Sequence, residues 1–257
     1  MKIAICGIFG KMGREIVKVA YERKIKITAG IEKEEFKNQS PKNIFNLEYD
    51  FAILSSPEEL DKIQEKPNVI VDFSQPGAII PFIEHCVKNN LKIGFVIGTT
   101  GFSKEQEEKI KELSEKTPIF MSSNMSRGIN LLLKILPEIK KNLPDFDVEI
   151  VEIHHRMKRD SPSGTALKLA SVLGGKMVFG REGIAGPRQK DELGILAVRG
   201  GDVVGDHTVF FLGDGERIEI THRASSRRVF AIGAIKAAEM IYEKLKEGKK
   251  GFFSSMF

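Results

Sequence analysis

No run of about 18 consecutive apolar residues occurs in the chain, so no transmembrane helix is expected. Cysteine is scarce: Cys6 and Cys86 are the only two, and they lie far apart. They form no Cys-x-x-Cys pair and no metal-ligand spacing, so no metal site is expected. The amino-terminal Met1-Lys-Ile-Ala-Ile-Cys6-Gly7 enters a strand at once and lacks the layout of a signal peptide. Two thiols without an export signal suit a reducing compartment, and a soluble, cytoplasmic protein is expected. Internal repeats and low-complexity linkers are absent. So is a basic patch interleaved with aromatics. The net charge of +5 comes from 40 basic and 35 acidic residues, with lysines scattered among glutamates as in Glu105 to Lys116. This pattern argues against nucleic acid as a partner and suits anionic small molecules.

The 257 residues suffice for one large domain or two modest ones. Lys2 to Cys6 reads as a strand, followed by Gly7-Ile8-Phe9-Gly10-Lys11-Met12-Gly13 and a helical stretch from Arg14 to Arg23. Strand, glycine turn and helix are the setting of a dinucleotide fingerprint, here spaced Gly-x-x-Gly-x-x-Gly. The helix start faces pyrophosphate charge, and Lys11 or Arg14 can pair with it. Glu32 ends the next strand, Ile25 to Ile31, 19 residues after Gly13, where a carboxylate accepts from ribose hydroxyls. Lys33 can instead meet a 2′-phosphate, opposed by Glu34 and Glu35, so NADH and NADPH both stay open. Further strands are predicted at Phe51 to Leu54, Val69 to Phe73, Lys92 to Ile97 and Pro118 to Met121. Helices are predicted at Pro57 to Gln64 and from Ser74 and Pro76 to Asn89, and Ser103-Lys-Glu-Gln106 is a capping box opening another. Alternation of this kind predicts a Rossmann-like, doubly wound parallel sheet whose ligands sit at the carboxyl ends of its strands. Ser74, Gly98-Thr99-Thr100 and Ser122-Ser123-Asn124-Met125 fall at such ends.

Ser126 should cap a helix from Gly128 to about Lys141, kinked or split at Pro137. Strands then come in runs, at Val148 to His155, Gly194 to Arg199, Thr208 to Leu212 and Arg217 to Arg223, with Asp214-Gly215 as a hairpin turn. They predict a second, α+β domain with an open mixed sheet, mostly antiparallel. Its most informative stretch is Glu152-Ile-His-His-Arg-Met-Lys-Arg-Asp-Ser-Pro-Ser-Gly-Thr-Ala166. Here a strand gives way to a helix through a loop holding two imidazoles, three cations and a Ser-Gly-Thr turn. A helix start binds carboxylates, and a packing core needs none of these polar groups.

This stretch resembles the signature of the dihydrodipicolinate reductases (4-hydroxy-tetrahydrodipicolinate reductases), enzymes of diaminopimelate and lysine biosynthesis. The resemblance extends to Arg199-Gly-Gly-Asp-Val-Val-Gly-Asp-His207-Thr and Ile220-Thr-His-Arg-Ala-Ser-Ser-Arg227. It implies NAD(P)H-dependent reduction of a cyclic dicarboxylate, 4-hydroxy-tetrahydrodipicolinate, with loss of water. It implies His154 as proton donor or acceptor and Lys158 as second proton donor. His155 would contact substrate, and Ser163, Gly164 and Thr165 would grip a carboxylate. The Gly-Thr-Thr and Ser-Ser-Asn-Met segments would serve the nicotinamide side. Asp160 is expected to orient a neighbour or the loop, and His207 and His222 to be structural. A homotetramer is implied, with residues 1–126 binding dinucleotide and 127–229 binding substrate and neighbours. The helix that opens 230–257 would return to the first domain. Two alternatives remain at this level: a dehydrogenase of another small carboxylate, and a non-catalytic NAD(P) sensor.

Overall fold

The computed structural model describes residues 1–256 and divides the chain into two compact units, Met1–Met125 with Phe230–Met256, and Ser126–Val229. Phe257, the end of the expected 230–257 segment, lies outside the described residues.

The first unit opens with β1 (Lys2–Cys6), α1 (Lys11–Glu22), β2 (Lys26–Ile31), α2 (Pro41–Phe45) and β3 (Ala52–Leu54). It continues with β4 (Val69–Asp72), α3 (Ile80–Lys88), β5 (Gly94–Ile97), α4 (Lys104–Ser114) and β6 (Pro118–Met121). The second unit holds α5 (Arg127–Asn142), β7 (Asp147–His154), α6 (Gly164–Leu173), β8 (Lys176–Val178), β9 (Glu192–Arg199), β10 (Gly205–Gly213) and β11 (Glu216–Ala224). The chain then returns through α7 (Arg228–Lys246) to β12 (Gly251–Phe253).

The first sheet has the order β12-β6-β5-β4-β1-β2-β3, and every pairing is parallel. Its strands are apolar on both faces because both are covered. Ile3 and Ile5 join α1 and α7 residues such as Ile16 and Ile241 in one core. Ala4 and Cys6 face the other core, with Phe82 of α3 and Ile110 of α4. Helix α7 packs closely where its residues are small: a Cβ on Gly233 would lie 1.6 Å from the Met125 carbonyl oxygen. Among the described residues, no helix is long and apolar enough to cross a membrane.

The second sheet has the order β11-β10-β7-β9-β8. It is mixed, but not mostly antiparallel as expected: β7 pairs β10 and β10 pairs β11 antiparallel, while β7–β9 and β8–β9 are parallel. The three-residue β8 carried too short a pattern to be foreseen. Val148, Ile150, Leu193, Ile195, Val209 and Phe211 form a core with α5 and α6 on one face.

Three local expectations are corrected. The helix foreseen from Ser74 starts only at Ile80, because Ser74 is held by Asp72 and Thr99 and Gly77 takes a left-handed φ of +87°. Helix α5 runs unbroken through Pro137, which lies on its solvent side while Ile129, Leu132 and Leu136 bury the other. That packing outweighs the roughly 3 kcal/mol an internal proline costs. The helix foreseen over Pro57 to Gln64 is a 3₁₀ turn, Pro57–Asp61.

Candidate active site

The first unit gathers its chemistry at one edge of its sheet. Strand-end amides reach across to the neighbouring strand, Gly7 to Ile31, Phe73 to Cys6, Gly98 to Asp72 and Ser122 to Ile97, at 2.8–3.1 Å. Ser122–Met125, Gly98–Thr100, Ser74, Gly7–Gly13 and Glu32 therefore follow one another in sheet order. Strands β2 and β3 succeed β1 on one side, and β4, β5 and β6 extend on the other. The order reverses between β1 and β4, the crevice where doubly wound sheets bind ligands.

The glycine loop is built for close approach. Gly7 has φ +75°, and a Cβ there would lie 2.6 Å from the Phe73 carbonyl oxygen. A Cβ on Gly13 would lie 2.2 Å from the Gly7 carbonyl oxygen. Gly10 starts α1, and no side chain among the described residues caps it. A cleared loop at an uncapped helix start fits a dinucleotide pyrophosphate. Glu32 accepts a hydrogen bond from the Phe9 amide at 3.1 Å, tying the loop to the end of β2. Arg14 turns back instead, its Nε donating to the Phe9 carbonyl at 2.9 Å and its guanidinium lying over Phe45. Lys11 and Lys33 are exposed. Ile8 and Met125 have their side chains in the core, leaving only backbone for a ligand.

Asp72, not foreseen as a site residue, is fully buried at the end of β4. It bonds the Ser74 amide and hydroxyl, and the Ser74 amide also donates to Thr99 Oγ1 at 2.9 Å. Burial raises its pKa. The available signal was one acidic residue closing an otherwise apolar strand.

The second unit gathers its polar groups on the helix-facing side of three adjacent strands. The register sets Glu152 and His154 of β7 beside Ala197 and Arg199 of β9, with His207 of β10 opposite Glu152. This is the face that carries Val148 and Ile150 further back. Glu152 Oε2 and His154 Nδ1 are 2.6 Å apart, and the Ser163 amide donates to Glu152 Oε1 at 2.9 Å. Arg199 donates to both carboxylate oxygens at 2.7 Å and to the Asp160 carbonyl at 2.7 Å. Burial pulls Glu152 upward, but these partners hold its pKa below the ordinary value. Burial also lowers His154, outweighing the carboxylate beside it.

Ser163 caps α6, its hydroxyl accepting from the Ala166 amide at 3.2 Å and lying 3.1 Å from His207 Nε2. It is buried and bound inward, so the helix mouth is left to Gly164 and Thr165. Gly164 was read as a tight turn. It is helical instead, and a Cβ there would meet no described atom within 4 Å, so the glycine keeps the mouth clear. Lys158 Nζ lies 2.8 Å from both oxygens of Asp160. His155 is one residue past β7, its amide bonded to Val203 at 2.8 Å, and its buried Nδ1 has no partner among the described residues. Arg156 and Arg159 are exposed. His222 Nε2 lies 2.8 Å from Ser126 Oγ, at the start of α5.

Family models match both parts of the chain: "Dihydrodipicolinate reductase, N-terminus" over residues 1–125 and "Dihydrodipicolinate reductase, C-terminus" over 128–256. The chain belongs to the dihydrodipicolinate reductase family. The 4-hydroxy-tetrahydrodipicolinate reductase of Aquifex aeolicus is 43% identical, over 100% of this chain and 97% of that protein. That of Methanocaldococcus jannaschii is 41% identical, over 96% and 94%. A dipicolinate-bound dihydrodipicolinate reductase from Paenisporosarcina sp. TG-14 superposes with a TM-score of 0.75 at 25% identity, covering 100% of this chain and 98% of that one.

His207 gives this site a pH signature. It is 3% exposed, and burial first, then the neighbouring His154, depress its pKa from 6.5 to about 4. Between those values the unfolded chain takes up a proton that the folded chain refuses. Stability therefore falls as pH drops from 6.5 to about 4, by a total on the order of 3 kcal/mol. His207→Gln is expected to flatten that loss in denaturant unfolding; an unchanged slope would contradict it.

Proposed function

We propose that this oxidoreductase reduces 4-hydroxy-tetrahydrodipicolinate to tetrahydrodipicolinate with loss of water, using NADH or NADPH, and that His154 and Lys158 manage the protons. The step belongs to lysine and diaminopimelate biosynthesis. The observation that carries the division of roles is the corner between β7 and α6. There a buried imidazole, an ammonium and a clear helix mouth occur within a dozen residues.

The bound nicotinamide supplies hydride to the ring. Reducing a conjugated imine also requires a proton at the far end of the polarised system, and the chain must deliver it. His154 is braced by a carboxylate for this task. Lys158 brings positive charge to the same loop, where a substrate carboxylate can compete with Asp160 for it. Gly164 and Thr165 offer the amides of a helix start to a second carboxylate, with Ser163 fixing the turn behind them. His155 completes the substrate contacts. In the first unit, Gly7, Ile8, Phe9, Gly10, Lys11, Met12 and Gly13 hold the pyrophosphate. Ser74, Gly98, Thr99, Thr100, Ser122, Ser123, Asn124 and Met125 border the nicotinamide. Glu32 binds the ribose diol of NADH, and Lys33 gives NADPH a foothold.

The open face of the second sheet carries Leu196 and Val198, 40% and 46% exposed, beside Val151. We assign this face to a homotetramer. The two free, buried thiols accord with a cytoplasmic enzyme.

Four measurements test this reading. NAD(P)H oxidation should occur with the hydroxylated cyclic imine, and a panel of hydroxy acids should not reduce NAD(P)+. His154→Ala should lower its kcat by ~10² or more while cofactor Kd is kept; equal losses in both would make the residue structural. Glu32→Ala should weaken NADH binding more than NADPH binding by calorimetry, and an identical effect on the two would remove the ribose role. Light scattering should return four times the chain mass, and Leu196→Lys should reduce it; a monomeric wild type refutes the assembly.

A further inference from the structure

Glu152 is 0% exposed and accepts from three different elements. A carboxylate has about four lone-pair positions. His154 Nδ1 and Arg199 Nη1 occupy Oε2, while the Ser163 amide and Arg199 Nη2 occupy Oε1. The guanidinium is always charged, and its planar fork matches the carboxylate in two-point fashion. The group is therefore ionised and can only accept. The hydrogen between Glu152 and His154 has to sit on Nδ1, which leaves the lone pair of the neutral ring on Nε2.

The other side of the ring lies close to a residue without a side chain. A Cβ at position 205 would lie 2.9 Å from His154 Nε2 and 3.3 Å from its Cδ2. Gly205 thus lets the β10 backbone lie close over the ring beside the nitrogen that Glu152 leaves bare, where any side chain would collide with the imidazole. Every charged or titratable group facing the ring belongs to this arrangement: Glu152 on β7, Arg199 on β9, His207 on β10 with ring centroids 5.2 Å apart, and Lys158 in the loop. Arg199 cancels the carboxylate, and Lys158, itself paired with Asp160, adds no negative charge to the ring. Neither favours a charged imidazole.

We propose that Glu152 is a positioning residue that holds His154 neutral with its hydrogen on Nδ1, so that Nε2 enters the reaction as a proton acceptor. Arg199 is its counter-ion, and the Ser163 amide couples it to the carboxylate-gripping turn. The inference rests on His154 being the proton-transfer group. It adds an order of events: as water is lost, Nε2 takes the proton from the ring carbon next to the one that bears the hydroxyl, the departing hydroxide takes a solvent proton, and only then does the imidazole hold a proton to return to the substrate.

The test is long-range ¹H–¹⁵N NMR on the full chain labelled at histidine, with His154 assigned by the signal missing from His154→Gln. A bare Nε2 and protonated Nδ1 near neutral pH are expected in the wild type. A protonated Nε2, alone or with Nδ1, overturns the inference and needs no variant that folds poorly. Glu152→Gln should lower kcat roughly 10³–10⁴-fold, as for a misassigned tautomer in a carboxylate–imidazole pair, with cofactor Kd unchanged. Glu152→Asp, still an anionic acceptor, should recover at least about tenfold of that. Equal losses in the two variants count against a tautomer role. Arg199→Gln should move the acidic limb of the kcat/KM profile upward by about one pH unit, since an uncancelled carboxylate favours the charged ring. An unmoved limb overturns the counter-ion role. A wild type inactive on the ring substrate would end the functional reading alone, since the tautomer measurement needs no substrate.

Discussion

A carboxylate sealed from water has to find every hydrogen-bond partner inside the protein, and in the second unit Glu152 does so. Leaving such a charge partly satisfied would cost several kcal/mol. Its partners are a strand arginine, a strand histidine and the amide that precedes a helix. The saturation of one group therefore fixes how β7, β9 and the loop before α6 meet. Buried ion pairs of this kind do little for net stability compared with well-packed apolar side chains. They are good at specifying geometry, and a proton-transfer site needs geometry first.

The same sheet face shows how a core becomes a site. Val148, Ile150, Leu193 and Ile195 pack against α5 and α6. Two to four residues further along the same strands, the inward positions turn polar, to Glu152 and His154 on β7 and Arg199 on β9. The apolar part supplies rigidity, and the polar part borrows it. The first unit solves a different problem, the approach of a ligand to backbone. It does so by removing side chains, at Gly7, where a Cβ would collide with the Phe73 carbonyl, and at Gly13, where it would collide with the loop itself.

The parallel sheet was legible because its strands are short apolar runs separated by glycine and polar turns, a pattern burial on both faces imposes. The loop between β7 and α6 was legible as a candidate site because histidines, a lysine and Ser-Gly-Thr crowd into it, a set that a packing core does not need. Other parts were hidden for physical reasons. Arg199 lies 47 residues from Glu152, and only the parallel pairing of β7 with β9 brings them together. Asp72 acts by what it holds, and Gly205 by the side chain it lacks beside His154. The inward commitment of Ser163 follows from His207, which arrives from a distant strand. The open sheet was expected to be mostly antiparallel because β8 and the crossover into β9 leave little trace in three residues and a polar loop.

The nucleotide sheet is finished by β12, which pairs with β6, and one of its cores is filled by α7. Both come after the whole of the second unit in the order of synthesis. On the ribosome, residues 126–229 are available to fold as a complete unit while the first unit still lacks an edge strand and a covering helix. The nucleotide-binding half thus matures after the half that contains His154, and an incomplete chain stalled between the two exposes the apolar face that α7 is made to cover.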